Sequence, residues 1–353
     1  MNQVQMVPQS SGRWSRRRFA MAVPLLAGVP AVAGAALAAP ADLARASRVL
    51  MGTRVDMAVP LAGGLSARQA DAAMQRAFAE MQRLEALMSR YLPGSDVARL
   101  DAAAGGAAVA VAPEVLAVLR QAQRLHRDSG GAFDATVGAL DGWHFESGRH
   151  AVPAPRDITR ALALVDGSAL TLDESQGTAQ LRRHGMRLDL GGVAKLPILQ
   201  AGLQVLECQG IEHALVNGGG DVLVLGNRHG QPWRVGVRNP AAPGQLLGVL
   251  PVQGRVVVAS SGDYERAFVH QGRHLHHVLD PRTGWPTQGV HGVALLARSV
   301  DEVNGWGTAL MVQGLGGVQA FGARRPEVGV LAVAADGTRW MSGPMGRRLQ
   351  AAA

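Results

Sequence analysis

The sequence has 353 residues but only one cysteine, Cys208, and only one lysine, Lys195. A single thiol excludes an internal disulfide, and the lack of any CxxC or HExxH spacing argues against a zinc site. Cys208 follows Leu206-Glu207 in an expected helix, so it reads as a buried structural thiol rather than a nucleophile. Aromatic residues make up 4% of the chain, so Ala, Val and Leu must build the core. Long apolar runs are also scarce. Only Ala20–Leu37 approaches the length of a membrane span, and it is rich in Ala, Gly and Pro. The net charge of +8 does not come from a basic stripe. Arg13, Arg16, Arg17 and Arg18, in an acid-free stretch, supply half of it, and the other arginines are scattered without interleaved aromatics. No nucleic-acid partner is expected.

What the N-terminus does contain is Ser15-Arg16-Arg17-Arg18-Phe19, then the apolar run, then Ala36-Leu37-Ala38. A charged region, an apolar region and small residues in an A-x-A arrangement form an export signal. Paired arginines before Phe mark the twin-arginine route, with its translocase as partner and the periplasm as destination. An uncleaved signal would retain the protein at the inner membrane. Residues 1–38 are therefore read as signal, 39–50 as linker and 51–353 as the functional domain.

Within that domain Val55, Met57 and Val59 alternate as in a half-buried strand. Ser66 and Gln69 form a capping box ahead of a helix over 67–88, whose Ala73, Ala77, Met81, Leu84 and Met88 share one face. Pro113 suits the first turn of a second helix. Further helices are expected over about 196–209 and 301–312. Strands are expected near 186–190, 214–217, 221–225, 233–237, 255–259 and 290–297, with a closing hairpin at Asp336-Gly337. Strands and helices follow in mixed order without repeats, which points to an α+β fold, a single large mixed-sheet domain.

Five segments depart from ordinary core or loop composition: Met51-Gly-Thr53; Ser89-Arg-Tyr91-Leu-Pro93-Gly94-Ser95-Asp96; Gly131-Ala-Phe-Asp134-Ala-Thr-Val-Gly138; Asp189-Leu-Gly191-Gly192-Val-Ala194-Lys195; and Ala259-Ser-Ser-Gly-Asp-Tyr264 with His277-Val-Leu-Asp280-Pro-Arg-Thr-Gly284. Asn217-Gly-Gly-Gly-Asp221 is compatible with a hairpin turn or a phosphate cradle. Gly191-Gly192, ahead of a helix, is better placed to offer free N–H groups to a phosphate. Lys195 suits a phosphate or a ring carbonyl, or is simply solvated. His276 and His277 could be base, ligand or filler.

The order of these segments resembles the ApbE family of FAD:protein FMN transferases. That family runs MGT, S-x-Y-x-P-x-S, G-A-F-D-x-T-V-G, D-L-G-G-I-A-K-G-Y-A, N-G-G-G-D, A-T-S-G-D-Y, H-I-I-D-P-R-T-G and A-D-A-x-x-T-A-L. Nearly every element is matched between Met51 and Leu310. The resemblance implies cleavage of FAD, attachment of FMN to Thr or Ser of an exported target protein, release of AMP, and a divalent cation, Mg2+ or Mn2+. It implies that Met51, Tyr91, Pro93, Gly94, Ser95 and Asp134 surround FAD and that Lys195 approaches its diphosphate. His277 would be the base for the target hydroxyl. The cation would be held by Gly192 (preferred over Ala194 as the backbone carbonyl), Asn304 and Thr308.

Two positions depart from the pattern. Asn304 stands where the family has Asp, and Leu196-Pro197-Ile198 stands where it has Gly-Tyr-Ala. The first removes a charge from the expected cation site. A FAD-binding protein without catalysis, or a FAD pyrophosphatase, is the alternative. No D-x-x-[ST]-G-A-T acceptor motif is present, so the chain is not expected to flavinylate itself.

Overall fold

Unbroken apolar runs such as Val256–Ala259 and Gly329–Ala334 suit strands covered on both faces, and here they are. The computed structural model describes residues 42–242 and 244–352. The twin-arginine signal falls outside them. In chain order the elements are β1 (Leu43–Leu50), β2 (Thr53–Pro60), α1 (Ala67–Met88), α2 (Asp96–Ala102), β3 (Val109–Ala110), α3 (Pro113–Asp128), α4 (Pro155–Leu162), β4 (Leu170–Asp173), β5 (Thr178–Leu181) and α5 (Gly191–Cys208). There follow β6 (Ala214–Gly218), β7 (Asp221–Leu225), β8 (Trp233–Arg238), β9 (Leu246–Val252), β10 (Val256–Gly262), β11 (Ala267–His270), β12 (Arg273–His276), β13 (Val290–Ala297), α6 (Trp306–Arg324), β14 (Gly329–Ala334), β15 (Arg339–Met341) and α7 (Gly343–Gly346).

The α+β expectation holds, and the main sheet is antiparallel throughout. Its eight strands lie in the order β1-β2-β6-β7-β10-β13-β14-β15, which is also their order along the chain. In such a meander alternate connections leave from the same end. The turns at 51–52 and 219–220 and the long 263–289 connection therefore share one end of the sheet.

One face of the sheet, with Val55, Met57, Val216, Val257, Leu295 and Val330, packs on α1, α5 and α6, and α3 packs in turn on α1 and α5. The other face, with Val224, Val258, Leu296 and Val333, packs on the β8–β9 hairpin through Trp233, Val235 and Leu250. A small third cluster of Leu140, Trp143, Ile158 and Leu275 underlies the 277–289 segment, where Trp143 Nε1 donates to Gly284 O at 2.9 Å.

The capping box of α1 and its buried stripe form as expected. Four expectations are corrected. Residues 43–50 are not linker but β1, paired with β2 along its whole length. This is an edge strand whose Arg45, Ser47 and Arg48 side chains face solvent, a composition that guards an edge and hides a strand from inspection. No strand forms over 186–190, where only Arg187 makes an isolated bridge to Val137. Cys208 ends α5 and is exposed, not buried. The helix expected from Asp301 begins at Trp306, with Gly305 at φ 75° as its N-cap, so Asn304 precedes the helix and does not lie on it.

Candidate active site

The sheet end that gathers the turns also gathers the motifs. Gly219 and Gly220 close the β6–β7 hairpin with φ of 62° and 98°, so Asn217-Gly-Gly-Gly-Asp221 is a hairpin turn. It packs against the neighbouring turn. A Cβ on Gly219 would lie 2.5 Å from Thr53 Oγ1, and Gly219 N–H donates to Arg54 O at 3.2 Å. Only glycine fits there.

Asp221, at the start of β7, is buried. Its carboxylate meets Lys195 Nζ at 2.7 Å and accepts the Ser260 N–H at 2.8 Å. Lys195, on the second turn of α5, stays partly exposed, so its ammonium is held at the surface of the site rather than solvated freely. The start of α5 meets the start of α6. A Cβ on Gly192 would lie 3.0 Å from the Phe133 ring and 3.2 Å from Thr308 Oγ1, and one on Gly307 would overlap the Ser261 hydroxyl. The positive dipole ends of two helices thus converge beside the chain's only ammonium side chain.

Arg90 ties three motifs together. It donates to Asp189 Oδ2 at 3.0 Å and to Gly138 O at 2.9 Å, and it lies over the Tyr91 ring. Asp189 in turn accepts the Gly191 N–H at 2.8 Å, fixing the first residue of α5. Beneath it, Asp101 accepts the Leu188 N–H, and burial raises its pKa to about 6. Tyr91 and Leu92 are exposed apolar surface, with 74% of Tyr91 accessible, and Pro93 and Gly94 are exposed beside them. Met51 holds a left-handed backbone, rare for a side chain of its kind, and its N–H donates to Glu85 Oε1 at 2.7 Å.

Ser95 and Asp134 are braces. Ser95 caps α2 by accepting the Ala98 N–H and donates to Ser89 O. Asp134 is buried, one oxygen accepting from Thr136 N and Oγ1, the other from Gly167 N at 2.7 Å with His126 nearby. Both oxygens are engaged within the chain, so the Asp134 carboxylate braces the loop that the sequence reading placed beside the nucleotide.

His277 is half-buried, and its Nδ1 is sealed without a hydrogen-bond partner. Burial, then the Arg266 and His276 charges, depress its pKa to about 3, so the ring is neutral. Its neighbour His276 is buried, with Nε2 2.9 Å from Thr287 O, and burial lowers its pKa as well. Asp280 grips Arg282 through both oxygens and stiffens the turn that follows.

Asn304 is buried beside α5, and its Oδ1 has no partner. The Gly192 carbonyl lies next to Gly305. Among the described residues no group of three or more His, Cys, Asp or Glu could hold a metal. The oxygens here are neutral: Asn304 Oδ1, Thr308 Oγ1 and Gly192 O. They suit a hard cation by atom type but bring it no charge. Arg90, Asp189 and Asp221 lay inside the motifs without an assigned role. Gln121, which contacts Asn304, gave no sequence signal.

The chain matches the model of the ApbE family over residues 51–332. It is 33% identical to the FAD:protein FMN transferase of Treponema pallidum, over 70% of this chain and 73% of that one. It is 36% identical to a FAD:protein FMN transferase of Klebsiella pneumoniae, over 70% and 76%. Among solved structures, the ApbE protein of Thermotoga maritima aligns with a TM-score of 0.79 at 26% identity, covering 87% of this chain and 99% of that one. The flavin transferase ApbE of Vibrio cholerae aligns at 0.76 and 27% identity, covering 88% and 100%. With the motifs, the sheet and these relatives in agreement, the chain belongs to the ApbE family.

Proposed function

We propose that this chain is a FAD:protein FMN transferase, exported by the twin-arginine route to the periplasm, that attaches FMN to Thr or Ser of an exported protein. The observation that carries the reading is the convergence of the α5 and α6 N-termini on Lys195, a ready site for a diphosphate. Tyr91 and Leu92 offer adjacent apolar surface for a ring.

In this reaction the target hydroxyl oxygen bonds to the FMN phosphorus. The bond from that phosphorus to the bridging oxygen breaks, and AMP leaves with the electron pair. His277, set on the same sheet end, accepts the hydroxyl proton. Lys195, held by Asp221, and the positive dipole ends of the two helices offset charge on the diphosphate. A divalent cation, Mg2+ or Mn2+, would be held by Asn304 Oδ1, Thr308 Oγ1 and the Gly192 carbonyl and would supply further charge neutralisation at the phosphates. Its negative ligands would come from FAD itself.

The neutral Asn304 favours a second reading, a periplasmic FAD-binding protein without transfer. One experiment separates them: the full-length chain is incubated with FAD, Mg2+ or Mn2+, and a D-x-x-T-G-A-T peptide, and intact masses are read. A peptide heavier by one FMN, with equimolar AMP, is expected. Free FMN and AMP with an unmodified peptide would mean a pyrophosphatase, and intact FAD bound to the chain would mean the binding protein. Replacing Arg16 and Arg17 with lysine should leave the precursor in the cytoplasm on fractionation.

A further inference from the structure

The two departures from the family pattern meet at one backbone carbonyl, that of Val193. Pro197 lies inside α5, yet the helix continues across it to Cys208. A proline has no N–H for the carbonyl four residues back, so the Val193 carbonyl loses its partner within the helix. That carbonyl instead receives Asn304 Nδ2 at 2.8 Å. The second amide hydrogen of Asn304 goes to Gln121 Oε1, also at 2.8 Å. Since Val193 O can only accept, the amide cannot be turned round, and Oδ1 must face away from α5. Oδ1 is the atom left buried without a partner.

We propose that Pro197 and Asn304 form a compensated pair, with Gln121 as positioning residue, that holds Asn304 Oδ1 as a fixed neutral oxygen donor for a cation arriving on a nucleotide diphosphate. The pairing rests on the hydrogen bonds alone, and the donor role rests on the function proposed above. A carboxylate at position 304 has no hydrogen to give. It would set its oxygen against Val193 O, and Gln121 could relieve only its own contact by turning its amide. The replacement of Asp by Asn is thus explained inside the fold: an amide is what a helix interrupted by Pro197 requires at this point. The site keeps an oxygen in place and gives up its charge.

A double-mutant cycle tests the pairing in the full-length protein, with EDTA present so that no cation contributes. Thermal unfolding is measured for wild type, Asn304→Asp, Pro197→Ala and the double variant. Asn304→Asp should lower Tm by several degrees. In the Pro197→Ala background, where a backbone N–H again reaches Val193 O, at least half of that loss should disappear. Equal losses in the two backgrounds overturn the pairing.

The donor role is tested by Mn2+ titration in the presence of FAD, read by electron paramagnetic resonance of the free ion. Gln121→Leu, which releases the amide, should weaken Mn2+ binding on the order of tenfold. Gln121→Glu keeps an acceptor for Nδ2 and should hold or improve it. Unchanged binding in Gln121→Leu, or equal loss in both variants, overturns the positioning role. No Mn2+ binding by the wild type overturns the donor role and the cation reading with it, while the metal-free cycle still decides the pairing.

Discussion

Lys195 Nζ lies 2.7 Å from the buried Asp221 carboxylate, joining the first turns of α5 to the β6–β7 hairpin. As the chain's only lysine, it is also the only side-chain amine that can be acylated. An amine-reactive ester should modify it slowly, and FAD should slow the reaction several-fold further, read by peptide mass spectrometry. Modification at an undiminished rate with saturating FAD would remove Lys195 from the nucleotide site. Asp221→Ala should cost about 2–3 kcal/mol in urea unfolding, because it strands both the ammonium and the Ser260 N–H.

Tyr91 and Asp134 should respond to truncation in opposite ways. Tyr91 is largely exposed, so Tyr91→Ala should change stability by no more than about 0.5 kcal/mol. Losing a stacking surface should weaken FAD binding roughly tenfold. Asp134→Ala leaves the Thr136 and Gly167 N–H groups unpaired in a buried loop and should cost about 3 kcal/mol of stability. Fluorescence titration and chemical denaturation on the same two variants check both statements. A stable Asp134→Ala protein with weakened FAD binding would make Asp134 a ligand of the nucleotide rather than a brace of its loop.

Where local chemistry alone decides an element, the sequence was readable. Ser66 and Gln69 announce α1, its apolar stripe is the buried one, and Pro113 opens α3. β1 was not readable, since Arg45, Ser47 and Arg48 suit an edge facing water as well as they suit a linker. The start of α6 was missed because it depends on the left-handed Gly305, and nothing in the sequence distinguishes that glycine from a helical one. The ordered motifs located the site. They could not show that Asp134 and Ser95 spend their oxygens on the backbone, nor that Asn304 answers to Pro197. Gln121 and Asn304 are 183 positions apart, a pairing that only the fold creates.

Asp101 gives a pH signature of stability. Burial raises its pKa from 3.8 to about 6, against the lowering effect of the Leu188 N–H, Arg90 and Arg187. A carboxyl group whose folded pKa is raised binds protons more tightly in the folded state, so its contribution weakens as pH rises from about 4 to 6 and is constant above. Asp101→Asn keeps an acceptor for Leu188 N–H without the charge. The variant should gain stability on the order of 1–3 kcal/mol at pH 7 and nothing at pH 4. A loss at pH 7 would mean that the attraction of the nearby Arg90 and Arg187 charges outweighs desolvation.

His277 should behave with the opposite sign. Its folded pKa, about 3, lies below the ordinary value of 6.5, with burial as the main cause and Arg266 next. Below pH 6.5 the unfolded chain takes up a proton that the folded chain refuses, so stability falls as pH drops from 6.5 toward 3 and is flat above. His277→Gln removes that penalty and should spare about 2 kcal/mol of the wild-type loss between pH 7 and pH 5. The same variant should lower FMN transfer at least about 100-fold, since a glutamine cannot take the hydroxyl proton. The neutral ring also sets the activity profile. Transfer by the wild type should show no fall centred on pH 6.5, because His277 stays unprotonated well below it. Arg266→Ala removes a positive neighbour, so it should move any acid limb owed to His277 to higher pH. An acid limb near 6.5 in the wild type that vanishes in no histidine variant would leave the base elsewhere, while one that persists in His277→Gln at full rate would take His277 out of the reaction.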